Sequence, residues 1–494
     1  MKQGHSVKFN FLMNFILTAS SFIFPLISFP YVSRILLPVG TGKVSFAASV
    51  IAYFLMVAML GIPTYGIRAC AKVRDDPIRL SRTVQEIFIL NLAVMLVTYA
   101  AFFLSLFAVE KFAQERLLLV ITSVTILMNV IGMNWLYSAL EQYAYITVRA
   151  VAFKLLGIIL MFLFVHEQSD YILYGGISVL AGTGSDVLNF FHARKLVNIR
   201  PVGNYQFRRH FKPILIFFAS AAATSIYTNL DTVMLGFMKG DAEVGLYNVA
   251  VNVKVILASL VTSLGAVLLP RLSYYVEKGK ASAFYQTIAQ ALHFIVLFSL
   301  PLTLFFLLFA EEGVAFLSGS AYASAVTPMR IILPALLPIG LTNVLGMQVL
   351  VPTEREKYVL CSVASGAVLD LVLNFLFIPS MGASGAALGT LAAEFCVLLI
   401  QAWFLRKTLP QLVRGFHARS ILLALLPAAA LGICVKLFLP LKNSFLMLAL
   451  GAVAFFLAYL LCLYLWRDPV VLELTRLGRK LKYPGRSGPG EDGE

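Results

Sequence analysis

Ile87-Phe-Ile-Leu-Asn-Leu-Ala-Val-Met-Leu-Val-Thr-Tyr-Ala-Ala-Phe-Phe-Leu-Ser-Leu-Phe-Ala-Val109 runs between Glu86 and Glu110 without one formal charge. As a helix rising about 1.5 Å per residue it reaches roughly 35 Å. A hydrocarbon layer of about 30 Å is crossed by about 20 mainly apolar residues. Equivalent runs lie between Lys8 and Arg34, Lys43 and Arg68, Arg116 and Glu141, Lys280 and Glu311, and Lys442 and Arg467. A soluble core does not bury that many helices of this length. The chain reads as an all-α polytopic membrane protein.

Composition agrees: 60% of residues are hydrophobic and 13% charged, with a mean hydropathy of +0.87. The net charge of +15 does not gather on one face, as a nucleic-acid footprint would. Nucleic acid is therefore not an expected partner. The first run, about Phe9 to Leu36, is too long for a removable leader and lacks a small-residue cleavage site. The five cysteines are odd in number and form no CxxC, which argues against a disulfide framework or a metal site.

Charge and turn punctuation divide the chain into about fourteen helices. They begin near Phe11, Lys43, Gln85, Arg116, Val148, Tyr171, Lys212, Glu243, Phe284, Ala325, Lys357, Ala383, Arg419 and Ser444. With the amino terminus inside, 30 of the 39 Lys and Arg fall on inside segments and 7 on outside ones. Cytoplasmic loops carry such an excess, so both termini are expected in the cytoplasm of a bacterial inner membrane. No outside loop exceeds about 15 residues, which leaves no room for an outer catalytic domain. The basic link over residues 193–212 reads as a connector held to anionic lipid or as a docking site. Residues 473–482 read as a short interfacial helix followed by a disordered tail.

The chain also repeats itself. Gly42-Lys-Val-Ser-Phe-Ala47 aligns with Gly245-Leu-Tyr-Asn-Val-Ala250, and Arg68 falls on Arg271. Asn129-Val-Ile-Gly-Met133 matches Asn343-Val-Leu-Gly-Met347, and Gly182-Thr183 aligns with Gly389-Thr390, which sets Asp186 near Glu394. Six helices per repeat give both halves one orientation, a parallel repeat about an axis along the membrane normal. The expected division is an N-lobe at 1–205, a C-lobe at 206–410, two further helices at 411–467 and a cytoplasmic tail at 468–494. Pro25, Pro30, Pro334 and Pro338 each remove a helix hydrogen bond, and serve either as static kinks or as bending points.

Ser28-Phe-Pro-Tyr-Val-Ser-Arg34-Ile-Leu-Leu-Pro38, then Gly42-Lys-Val-Ser-Phe46 and Leu60-Gly-Ile-Pro-Thr-Tyr-Gly-Ile-Arg68, resemble the opening of the bacterial polysaccharide flippases. These O-antigen and exopolysaccharide translocases share a superfamily with the multidrug and toxin exporters and the lipid II flippases. Leu37 stands where that family usually has Gly, and Thr41 where it has an aromatic residue. The resemblance implies two six-helix lobes. It also implies a cargo of undecaprenyl-diphosphate-linked oligosaccharide, moved from the cytoplasmic to the outer leaflet. Membrane lipids and the polysaccharide polymerase and chain-length machinery would be its partners.

A charge at mid-membrane costs several kcal/mol and faces protein or water. Lys254, about ten residues into the eighth helix, reads as a cation for diphosphate or an acidic sugar, or else as the partner of Asp231 or a side chain that snorkels to the interface. Arg34 is an interface anchor or a phosphate ligand, and Arg68 and Arg271 flank the inner mouth or anchor it. Guanidinium suits phosphate because its planar fork pairs two oxygens. Asp231, Asp186, Asp370 and Glu394 are the candidates for coupling to H+ or Na+; Asp231 is the best placed unless it pairs with Lys254, Arg34 or Arg330, and Asp370 and Glu394 otherwise cap polar contacts within their lobe. Tyr53, Trp135, Tyr137, Tyr227 and Tyr247 stack on sugars or anchor at the interface. No cofactor is expected, since no P-loop, HExxH or GxSxG is present. Three functions compete: a lipid-linked oligosaccharide flippase, a drug or organic-cation antiporter of the same fold, and a membrane acyl- or glycosyltransferase. Basic residues in the spans favour an anionic load, whereas a cation exporter should present carboxylates alone.

Overall fold

The structure, a computed structural model, describes residues 7–198, 200–412, 418–439, 441–468 and 471. The expected helix at 473–482 and the tail lie outside the described residues. Every regular element among the described residues is helical. The chain opens with α1 (Val7–Met59), broken at Leu37, where φ is 57° and ψ 178°. Pro38 follows, so the break falls where a backbone N–H is missing anyway. After α2 (Ile62–Ala71) comes α3 (Pro77–Ala108). It starts well before the expected Gln85 because Asp76 caps it, accepting from the backbone N–H of Ile78 and Arg79 at 3.0 Å each. Hydropathy alone misses such a charged first turn.

A short α4 (Glu110–Gln114) precedes α5 (Arg116–Gly132), α6 (Asn134–Ala139) and α7 (Tyr143–Phe164). Next come α8 (Tyr171–Thr183), α9 (Asp186–Ala193), α10 (Arg208–Met238), α11 (Asp241–Glu277) and α12 (Ala281–Leu308). Three short helices, α13 (Ala310–Ser318), α14 (Val326–Ile332) and α15 (Leu336–Thr342), lead into a π-helix at Asn343–Leu350. The chain ends through α16 (Glu356–Met381), α17 (Ala383–Phe404), α18 (Leu409–Leu412), α19 (Ala418–Phe438) and α20 (Ser444–Leu465).

Twelve elements among the described residues are long and apolar enough to cross a membrane, against about fourteen expected. The difference has two sources. Leu12–Ala71 counts once although it is 60 residues long and contains the break at Leu37. The run over α8 and α9 counts not at all, because Gly184 and Ser185 split it into pieces of 13 and 8 residues.

The solvent logic is inverted, as lipid demands. Leu96, Val97, Leu104 and Phe107 of α3 are 60–75% exposed, while Glu86, Asn91 and Thr98 of the same helix are buried. Polar side chains turn inward where partners satisfy them. The structure forms two compact units. One is the chain up to Ala250 with Leu317–Pro328 and Val363–Ala392; the other is Val251–Phe316, Met329–Ser362 and the chain from Ala393 on. This division by packing cuts α11, α13, α14, α16 and α17, whereas the division by sequence repeat falls near residue 205. In the second unit Phe305, Phe309 and Phe455 bind α19 and α20 onto α12.

The basic link is stapled to α3. The Gln85 amide donates to the carbonyls of Asn198 and Arg200 (2.7 and 2.9 Å) and accepts from Tyr205 Oη (2.7 Å). The Gln206 backbone N–H donates to Glu86 Oε1 at 2.6 Å.

Candidate functional site

In the first unit, α10, α11, α16 and α17 converge on one carboxylate. Asp231 is 7% exposed and accepts from Asn374 Nδ2 and from Thr390 Oγ1, each at 2.6 Å. Tyr247 Oη donates to it as well and lies 2.9 Å from Thr390 Oγ1. None of these donors is basic, so among the described residues Asp231 does not make the pairing with Lys254, Arg34 or Arg330 that the sequence left open. Asp370, one turn before Asn374 and therefore on the same face of α16, is 1% exposed. It reaches Gly389 of α17, where a β-carbon would lie 2.8 Å from Asp370 Oδ1. Tyr53 buries its hydroxyl without a hydrogen-bond partner among the described residues. Two carboxyl groups, a threonine hydroxyl and an amide oxygen form an oxygen-rich, buried site of the kind that holds a proton or a hard cation.

Asp186 has a different environment. It pairs with Arg149 at 3.0 Å, both almost fully buried, and accepts from Asn134 Nδ2 at 3.0 Å. Arg149 also donates to Ser185 Oγ (2.7 Å) and Asn134 Oδ1 (2.5 Å), and Asn189 donates to the Gly132 carbonyl (2.7 Å). The network clamps α5, α6, α7 and α9 where the backbone breaks at Met133, whose φ is 42°. Asp186 thus holds a fixed cation in place, whereas Asp231 has no basic partner among the described residues.

Among the cations, Lys254 is half-buried on α11. It falls towards the face of Val253, Leu257 and Val261, which are buried, and away from exposed Val255 and Leu260. It makes no hydrogen bond or ion pair among the described residues. Arg34 is exposed beside the Gly319 turn, and its Nη1 donates to the Pro30 carbonyl at 2.5 Å. Arg271 is exposed and held by Tyr275, its Nε donating to Oη at 2.6 Å. Arg68 opens onto a cleft with Lys72 and Lys212. Glu394 is buried in α17 at 8% exposure. Trp135 and Tyr137 are core residues, 2% and 0% exposed, so neither anchors at an interface nor reaches a sugar.

Two further basic residues, Arg149 and Lys154, lie within α7. Lys154 is the twelfth of its 22 residues. Its Nζ donates to Ser20 and Ser21 Oγ at 2.9 Å each and sits 5.8 Å from the centre of the Phe24 ring. It has no carboxylate partner among the described residues. The signal was in the sequence: between Arg149 and Glu167 it is the sole formal charge. A second group that sequence reasoning missed is a polar cluster joining α2, α3 and α10. Tyr65 Oη and His210 Nδ1 are 2.6 Å apart, His210 Nε2 and Glu86 Oε2 2.7 Å, and Arg209 Nη2 donates to Glu86 at 2.5 Å.

Comparison with known proteins places these features in a family. The profile of the family described as "Polysaccharide biosynthesis protein" matches residues 7–276, and that of the MatE family matches 216–376. A protein of Escherichia coli (strain K12) named "Putative O-antigen transporter" is 24% identical over 404 residues, 81% of this chain and 97% of that protein. One of the same name from Shigella dysenteriae is 24% identical over 402 residues, 80% of this chain and 98% of that protein. Among solved structures, "Lipid II flippase MurJ, inward closed conformation" superposes with a TM-score of 0.69 at 16% identity. It covers 93% of this chain and 100% of its own. An inward-facing multidrug resistance MATE family transporter of the MOP superfamily gives 0.56 at 15% identity, covering 81% of this chain and 96% of its own. The fold is that of a transporter. Because the first profile spans more than half of its length, the chain belongs to the polysaccharide biosynthesis protein family.

Proposed function

We propose that this chain is a flippase for undecaprenyl-diphosphate-linked oligosaccharide. It carries each repeat unit from the cytoplasmic to the outer leaflet of a bacterial inner membrane by alternating access of its two repeat lobes, with both termini cytoplasmic. The observation that carries this reading is a cation within a spanning helix that has no acidic partner among the described residues. Lys154 donates to two hydroxyls and lies near a ring, with no carboxylate partner among the described residues. Such a residue marks a substrate or ion path and suits an anionic load. Lys254, Arg34, Arg68 and Arg271 extend that positive set. The O-antigen-transporter relatives, matched over most of their length, support the lipid-linked cargo.

The Asp231 site supplies the drive. Binding of H+ or Na+ between Asp231 and Asp370 neutralises buried charge, which changes how tightly α10, α16 and α17 pack. A gradient of that ion then biases the lobes in one direction. Asp186, already neutralised by Arg149, and Glu394 take subsidiary places in this scheme. Delivery to the polymerase and chain-length machinery follows at the outer leaflet.

The test is genetic. Removing the gene should abolish surface polysaccharide and leave lipid-linked repeat units inside the cell. Restoration by the wild-type chain but not by Lys154→Ala, at equal membrane levels, supports the reading. Unchanged polysaccharide with new sensitivity to organic cations would favour the antiporter instead.

A further inference from the structure

Where α2 and α10 pack together, their ends enclose a cleft of about 440 Å³. This volume falls in the range of small-molecule sites, roughly 300–1,000 Å³. Three cations line it: Arg68 and Lys72 from the end of α2, and Lys212 from the first turns of α10. None of the three makes a hydrogen bond or ion pair among the described residues. The rest of the wall is apolar, chiefly Ala69, Ile216 and Phe217.

The floor is Tyr65, and it is fixed. Its hydroxyl is tied to His210, and through His210 to the fully buried Glu86. Glu86 is spoken for by Arg209 and the Gln206 backbone, so it does not neutralise the cleft. Three like charges gathered on two packed helices repel one another unless an anion stands between them. The two halves of the lining specify its shape. A guanidinium fork and two ammonium groups match phosphate oxygens, and the Phe217 side matches the first carbons of a chain.

We infer that this cleft binds the phosphate-bearing head group of an anionic lipid, with Arg68, Lys72 and Lys212 on the phosphate and Ala69, Ile216 and Phe217 against the chain. Two lipids of the membrane carry that chemistry: the diphosphate-linked cargo, which rests on the function proposed above, and anionic phospholipid, which does not.

Native mass spectrometry of the full chain in a zwitterionic detergent tests the inference. The probes are undecaprenyl diphosphate, phosphatidylglycerol and phosphatidylcholine, with inorganic pyrophosphate as competitor. Wild type should retain at least one anionic lipid and reject phosphatidylcholine. The triple variant R68Q/K72Q/K212Q should weaken that binding about 100-fold, since each basic residue near an anionic lipid is worth roughly a factor of five. All three side chains are exposed, so folding should survive. Ala69→Trp, which fills the cleft and leaves the charges, should weaken lipid binding while pyrophosphate competes as before. Preference for undecaprenyl diphosphate over phosphatidylglycerol identifies cargo, and equal retention identifies a resident phospholipid. A triple variant that binds like wild type, or a wild type that takes phosphatidylcholine equally, overturns the inference. Either failure leaves the flippase reading standing, because that reading is tested on polysaccharide delivered and not on lipid retained.

Discussion

Leu37 holds a backbone conformation, φ 57° and ψ 178°, that sterics reserve almost entirely for glycine. The resemblance drawn from sequence gives this position to Gly, and the geometry shows why: the chain turns here between two apolar runs. A side chain in this region costs on the order of 1–3 kcal/mol. Leu36 and Thr41 around it are buried, and Thr41 Oγ1 lies 2.8 Å from Tyr322 Oη, which holds the turn against that strain. Leu37→Gly should therefore raise the unfolding temperature of the purified chain by a few degrees. A lower unfolding temperature would show that the leucine side chain contributes more packing than strain.

At this scale the sequence was readable for type and not for partner. Asp231 and Asp370 were singled out because charge in an apolar helix is conspicuous. Thr390, Asn374 and Tyr247 were not connected to them, since which helices meet is a property of tertiary packing. Lys154 was legible by the same rule as Lys254, as the sole formal charge between Arg149 and Glu167.

Between elements, the repeated Asn-Val-x-Gly-Met motif disturbs a helix in both halves. At Asn129–Met133 it ends α5 in the break at Met133, and at Asn343–Met347 it opens the π-helix. A polar side chain from the repeat's last helix covers the motif glycine each time. Gly132 faces Asp186 and Gly346 faces Gln401, whereas sequence alignment had set Asp186 beside Glu394. Ser362 accepts from Gln401 at 3.2 Å, in the place that Arg149 takes against Asp186. The second copy of the motif thus keeps the geometry and drops the charge. The two glycines should differ in tolerance. A β-carbon at Gly132 would lie 2.7 Å from Asp186 Cβ, but at Gly346 it would lie 3.1 Å from the flexible end of Gln401. Overpacking costs about 1–3 kcal/mol, so Gly132→Ala should lower the unfolding temperature clearly and Gly346→Ala little. Equal effects would show that the two sites are equally tolerant, and that these contact distances do not set the cost.

Past the end of α20, Asp468 ties that helix to its neighbours, accepting from His293 Nε2 at 3.0 Å and Ser420 Oγ at 2.9 Å. Burial alone would raise its carboxyl, but the hydrogen bond and charge of His293, helped by Ser420 and the Val471 N–H, hold it below the usual carboxylate range. A depressed folded value stabilises above the unfolded value, near 4, and that stability is lost as pH falls through the folded value. Wild type should lose thermal stability as pH drops below about 4 more steeply than Asp468→Asn. Parallel curves would remove Asp468 from the acid response.

Over the whole molecule, fold class was legible because lipid leaves few alternatives: only helices satisfy their own backbone through an apolar run of this length. Helix number was less so, as a break at Leu37 and a split at Gly184–Ser185 depend on local backbone geometry that hydropathy averages away. The proposed orientation and anionic cargo rest on the charge asymmetry of the sequence and on Lys154 and Lys254, which have no acidic partner among the described residues. Reconstitution tests this most directly. Liposomes holding the purified chain and undecaprenyl-diphosphate-linked sugar are given an impermeant glycosidase and a H+ or Na+ gradient. Sugar on the inner leaflet should become cleavable with wild type, several-fold more slowly with Lys254→Ala, and without response to the gradient with Asp231→Asn. Cleavage at the rate of protein-free liposomes, or equal rates for all three chains, would contradict the account.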